Sequence, residues 1–192
     1  MTRILYGLCG IGIGHAIRSR VILDYLLKHH EVMILTSKNA YHYLKQHYSH
    51  VENIEGFEFV FKNNTLINHK TLLKNLYKIN PNTIDTLELT KRKVDAFNPQ
   101  LVISDMETYS MYLAKWKKIP LINLDNQHFL LYGKYHVPKR YFLPYLKALF
   151  VMNLATRKAN HYFIITFPGV KLDKKKNITP LLPIVRKEIV TT

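Results

Sequence analysis

The chain contains a single cysteine, Cys9, so neither an intrachain disulfide nor a cysteine-based zinc site can form. It also lacks any run of about 20 uncharged apolar residues, the length that a membrane-crossing helix requires. A secretory signal is not expected either, because Met1-Thr2-Arg3 leads straight into Ile4-Leu5-Tyr6, which reads as a strand. These absences imply a cytosolic protein. Acidic residues are scarce, 13 against 28 basic ones, and the formal net charge is +15. Such a field draws phosphate-bearing partners: nucleic acid, anionic lipid or a nucleotide-activated substrate. A general compositional bias toward Lys, Asn, Ile and Tyr is the alternative source of the charge. Nucleic acid fits less well than the others, since arginines are few and no nucleic-acid motif is present.

The pattern that is present alternates strand and helix, with no internal repeat. At 192 residues and 47% apolar content, the chain fits one domain with a substantial core. Strands are expected at Arg3–Cys9, Glu31–Leu35, Phe57–Phe61, Leu101–Ser104, Leu121–Leu124 and Tyr162–Thr166. Helices are expected at His15–His30, Asn39–Tyr48, Pro81–Phe97 with Asn80 as its cap, and Glu107–Lys118. Lys62–Lys70 is polar and reads as a loop. The expected fold is α/β: a Rossmann-like, doubly wound, mainly parallel sheet with helices on both faces. Residues 1–167 form that domain. Residues 168–192, with three prolines and the Lys174-Lys175-Lys176 run, read as a linker-like tail.

Gly7, Gly10, Gly12 and Gly14 punctuate the first strand-to-helix turn. Glycines there allow a sharp turn and the approach of a ligand to a helix N-terminus. The spacing is G-x-G-x-G, with His15 where a dinucleotide fingerprint needs glycine or alanine, and Thr36 and Ser37 where it needs an acidic residue. The lysine and hydroxyl of a phosphate-binding loop are absent as well. A nicotinamide cofactor is therefore not expected. His15, in the first turn of a helix, faces the positive end of the helix dipole, which favours a neutral ring able to accept a proton. Alternatively it only caps the helix or packs in the turn.

The opening Arg3-Ile4-Leu5-Tyr6-Gly7, followed by Gly10-Ile11-Gly12-Ile13-Gly14-His15-Ala16-Ile17-Arg18-Ser19, resembles that of GT-B glycosyltransferases. The similarity is to the group around the lipid-linked N-acetylglucosaminyltransferase of peptidoglycan synthesis and related uncharacterised glycosyltransferases. It continues through Leu101-Val102-Ile103-Ser104-Asp105, Ile119-Pro120-Leu121-Ile122, Leu124-Asp125-Asn126-Gln127-His128 and Pro183-Ile184-Val185-Arg186-Lys187-Glu188. The resemblance implies the N-terminal, acceptor-binding half of an enzyme that transfers a hexosyl group from a nucleotide-sugar to a lipid-linked or cell-envelope hydroxyl. His15 would then be the catalytic base and Asp105 its orienting partner. The donor-binding domain, absent from this chain, would be a separate domain or subunit, without which little catalysis is expected. The nucleotide-sugar is a co-substrate, and neither cofactor nor metal is expected.

Asp105 ends the fourth expected strand, across the topological switch point from His15, where ligands bind in doubly wound sheets. It either orients the imidazole, binds an acceptor hydroxyl, or caps the helix that begins near Glu107. Gly12, Gly14, Glu107, Asp125, Asn126, Gln127 and His128 are the candidate acceptor-binding residues; the last four are consecutive hydrogen-bonding side chains, which suit a hydroxyl-rich ligand. From Phe129 to Asn160 no acidic residue occurs. Lys139, Arg140, Tyr141, Phe142, Lys147 and Phe150 there describe a face lying in a lipid headgroup region, against the alternative of a core helix with a basic edge. The chain is accordingly expected to be peripheral at the inner face of the cell membrane. The competing function is a non-catalytic basic module that docks onto membrane or nucleic acid.

Overall fold

The computed structural model describes residues 1–54, 56, 58, 60–62, 65–77, 80–156 and 158–185. In chain order the elements begin with β1 (Arg3–Leu8), α1 (Gly14–Leu26), β2 (Glu31–Thr36), α2 (Lys38–Lys45) and β3 (Val51–Asn53). A small hairpin of β4 (Phe61–Lys62) and β5 (Thr65–Leu66) follows, then α3 (Asn68–Tyr77), α4 (Pro81–Phe97) and β6 (Leu101–Asp105). The remainder is α5 (Thr108–Lys117), β7 (Leu121–Asp125), α6 (Phe129–Tyr132), α7 (Phe142–Ala155), β8 (His161–Ile165) and β9 (Ile178–Leu181). Seven strands form one parallel sheet in the order β3-β2-β1-β6-β7-β8-β9. The expected doubly wound α/β fold is the one observed.

Alternation along the strands divides the core in two. Ile4, Tyr6 and Leu8 of β1 pack with Ala16 and Leu23 of α1 and with Ala40 and Leu44 of α2. Leu5, between them, packs on the other face with Val94 of α4 and with Met111 and Leu113 of α5. A strand covered on both sides needs an almost unbroken apolar run, and β1 has one. Gly7 interrupts it for a steric reason: a Cβ there would run into the Ser110 hydroxyl and the Glu107 carboxylate. The absent side chain lets α5 lie close against β1.

Several local expectations are corrected. The third strand of the sheet is Val51–Asn53, aligned with Ile34–Thr36. Phe57–Phe61 was the expected position, but Phe57 and Phe59 lie outside the described residues and Phe61 pairs with Leu66 in the hairpin. Three residues are too few to register as a periodic pattern, whereas the buried Val51 completes the β2 edge. The expected loop at Lys62–Lys70 instead contains the hairpin and the start of α3. Asn75 of α3 ties that helix to a distant backbone, accepting from Glu58 N at 2.8 Å and donating to Glu58 O at 2.7 Å. Such a tie cannot be seen in local sequence. The segment 168–192 contains β9, which extends the sheet beside β8. Its composition reads as a linker, yet Pro180 is tolerated in a strand because, among the described residues, β9 pairs on one side only.

Candidate functional site

In this strand order the chain winds one way from β1 and the other way from β6, so their carboxyl ends bound a crevice at the switch point. Leu8 pairs with Asp105, and Cys9 N donates to Asp105 O at 2.9 Å, which fixes the two ends side by side. Beyond Cys9 the turn climbs through Gly12, whose φ of 73° lies in the left-handed region that glycine adopts without strain. Open space surrounds Gly12 and Gly14, and both are exposed. On the other side Met106 holds a φ of 59°, a conformation costing a non-glycine residue roughly 1–3 kcal/mol. That turn, braced by Met106 against Cys9 and Met152, leaves the Asp105 side chain directed toward α1. Burial pushes the Cys9 thiol up to about 11, so Cys9 serves as packing and not as a nucleophile.

His15 Nδ1 lies 2.8 Å from Asp105 Oδ1, with the His15 side chain 16% exposed and that of Asp105 1%. The distance requires a proton between the two atoms, so Nδ1 donates, and a neutral ring held this way has its lone pair on Nε2. Arg18, one turn along α1, donates through Nη2 to the same Oδ1 and through Nη1 to Asn126 Oδ1 at 3.4 Å. The 3.2 Å approach of Arg18 Nη2 to His15 Nδ1 is therefore a contact of two donors sharing one acceptor. Ser19 donates to Asp105 Oδ2 at 3.3 Å and accepts from the Tyr6 hydroxyl at 3.2 Å. The buried carboxylate thus has three donors, His15, Ser19 and the Arg18 guanidinium, as a buried charge needs. Sequence reasoning missed Arg18 and Ser19. Their signal was the helical spacing: positions three and four beyond His15 share its face of α1.

The Asp125–His128 segment divides. Asn126 is exposed, and Gln127 Nε2 lies 3.2 Å from His15 Nε2. Asp125 and His128 are buried, which corrects their expected place on the acceptor. Asp125 Oδ1 accepts from His128 N at 2.9 Å, and Oδ2 accepts from His128 Nδ1 at 2.7 Å. His128 Nε2 is met by Asn123 Nδ2 at 3.3 Å. This pair closes the turn between β7 and α6, and so presents Asn126 and Gln127 to the crevice. Glu107 is also buried and corrected: it caps α5, accepting from Tyr109 N at 2.7 Å and Ser110 N at 2.6 Å. The capping role considered for Asp105 therefore belongs to Glu107. Desolvation pushes the Glu107 carboxyl above its usual range, against the lowering effect of those donors.

Lys139, Arg140, Tyr141, Phe142, Lys147 and Phe150 are all exposed. On α7, Phe142, Leu143, Leu146 and Phe150 form an uncovered apolar stripe. Met152, on the opposite side of the helix, packs with Cys9 and Met106 behind the glycine turn. The helix has 14 residues, about 21 Å at 1.5 Å per residue, against a hydrocarbon core of about 30 Å. Among the described residues, no helix is long and apolar enough to cross a membrane. A cavity of about 420 Å³ opens at the opposite, N-terminal edge of the sheet beside Lys118, Leu121 and Lys158, remote from the His15–Asp105 pair.

The sequence model of glycosyl transferase family 1 matches residues 2–192. The chain belongs to that family. No curated protein matches it. Among solved structures, the family member resembles MurG of Acinetobacter baumannii at 13% identity and a TM-score of 0.51, over 93% of this chain and 45% of that one. It also resembles a UDP-glucosyltransferase from Polygonum tinctorium at 11% identity and a TM-score of 0.59, over 100% of this chain and 55% of that one. SsfS6, a glycosyltransferase of Streptomyces sp. SF2575, aligns at 14% identity and a TM-score of 0.53, over 97% of this chain and 56% of that one. The chain spans about half the length of these structures. At such identities the likeness shows the fold, that of the N-terminal half of GT-B glycosyltransferases.

Proposed function

We propose that this chain is the acceptor-binding half of a glycosyltransferase that moves a hexosyl group from a nucleotide-sugar to a lipid-linked or cell-envelope hydroxyl. The observation that carries the reading is the 2.8 Å contact of His15 Nδ1 with Asp105, which in the neutral ring leaves the lone pair on Nε2, beside Gln127. His15 removes the proton of the attacking hydroxyl at Nε2. As the new bond to the anomeric carbon forms, the bond from that carbon to the diphosphate breaks. Asp105 holds the ring in the required tautomer and stabilises the imidazolium. Arg18 and Ser19 hold Asp105, and Asn126 and Gln127 line the acceptor's approach. A second domain supplies the nucleotide-sugar, and helix dipoles and cationic groups carry the charge of the departing diphosphate.

Family membership and the half-length match to two-domain structures support this division of labour. The α7 stripe, with Lys139, Arg140 and Lys147 beside it and no acidic residue from Phe129 to Asn160, suits an anionic bilayer at the inner face of the cell membrane. Because Met152 of the same helix packs behind the glycine turn, docking there would bring lipid-linked hydroxyls close to His15. The test is to combine the chain with a donor-binding domain and assay labelled nucleotide-sugars against membrane lipid extracts. Transfer is expected, and His15→Ala should lower it by about 100-fold or more. Full activity in that variant would remove His15 from the mechanism.

A further inference from the structure

We infer that Gln127 holds the place of the acceptor's reacting hydroxyl, and that the incoming hydroxyl must displace its amide to reach the base. The inference rests on His15 being that base. Nδ1 of His15 donates a hydrogen bond to Asp105, so the neutral ring carries its lone pair on Nε2, and the group 3.2 Å from it is the side-chain nitrogen of Gln127. An amide N–H on that lone pair occupies the position from which a hydroxyl would give up its proton.

The rest of the amide is poorly held. Gln127 Oε1 is buried and meets no hydrogen-bond partner among the described residues. Among the described residues the side chain is therefore anchored at its end by one hydrogen bond, the bond that the acceptor replaces. Its backbone, in contrast, is fixed. Gln127 O accepts from Leu130 N at 2.9 Å, and the buried Asp125–His128 pair closes the same turn. The amide can swing while its Cα stays in place. Once swung, its free carbonyl oxygen can accept from the molecule that displaced it. Gln127 thus acts as a positioning residue that keeps the imidazole in its proton-accepting tautomer until the acceptor arrives.

The experiment measures acylation of His15 by diethyl pyrocarbonate, which attacks an unprotonated ring nitrogen. Peptide mass mapping distinguishes His15 from the other nine histidines of the ten in the chain. Rates are compared on the high-pH plateau for the unmodified chain, Gln127→Met and Gln127→Ala. Methionine keeps the bulk and removes the donor. The expected result is acylation of His15 about 3- to 10-fold faster in both variants, the effect of releasing one ordinary hydrogen bond. Equal rates in the unmodified chain and Gln127→Met would overturn the proposal. Acceleration in Gln127→Ala alone would overturn it too, since cover by bulk would then be the cause. The readout needs no sugar transfer, so its failure is separable from failure of the His15→Ala transfer assay.

Discussion

Glu107 sits inside the molecule with its carboxylate turned onto the first turn of α5, and burial raises its pKa above the ordinary 4.5. A raised folded-state value means that the folded chain holds this proton more tightly than the unfolded chain. The group's contribution to stability is thus full below pH 4.5 and is lost as pH rises through the folded value. Comparing Glu107→Gln with the unmodified chain by denaturant unfolding from pH 4.5 toward neutrality should show the difference shifting steadily in the variant's favour. A constant difference would mean that Glu107 ionises in the fold as freely as outside it. At this scale the sequence was legible where topology dictated position. His15 follows β1 and Asp105 ends β6, the two strands at the switch point, so their order in the sheet sets them side by side. The inside-or-outside order within a tight turn was not legible. Asp125 and His128 look as polar as Asn126 and Gln127, and only the closure of the turn turns the outer two inward.

Among the elements, α7 carries the sharpest consequence, because its apolar stripe faces outward. Burying a phenylalanine side chain stabilises by about 1.5–3 kcal/mol, and each cation near an anionic leaflet adds about 1 kcal/mol. Phe142→Ser with Phe150→Ser should therefore weaken sedimentation with anionic liposomes by about 100-fold, and added salt should weaken it further. Binding unchanged by the double substitution would leave α7 without a lipid role. Long elements were legible: α4 runs from Pro81 to Phe97 as the Asn80 cap and the stop at Asn98-Pro99 require, with Asn80 Oδ1 accepting from Thr83 N at 3.1 Å. Short edge elements were not. β3 and β9 owe their existence to a neighbour's unpaired edge, a property of the sheet and not of their own residues.

For the whole molecule, a formal charge of +15 on 192 residues makes the folded chain repel itself. Raising the salt from about 20 mM to about 300 mM shortens the screening length, so the thermal midpoint should rise even where no ligand is present. A midpoint that fell or stayed level would point to ion pairs outweighing the repulsion. The doubly wound architecture itself was readable from the alternation of elements, since right-handed crossovers leave few other arrangements.

The pairing of Leu8 with Asp105 gives the site an unusual dependence. His15 and Asp105 are 90 positions apart, and the alignment of two neighbouring strands brings them within reach of each other. Sliding one strand past the other by a single position would turn the carboxylate to the opposite side of the sheet. The slip would also set a side chain of β1 where Gly7 lets α5 approach, so the imidazole's partner and the seat of that helix are lost together. Counting competent sites by titration should therefore return the same fraction as counting folded molecules.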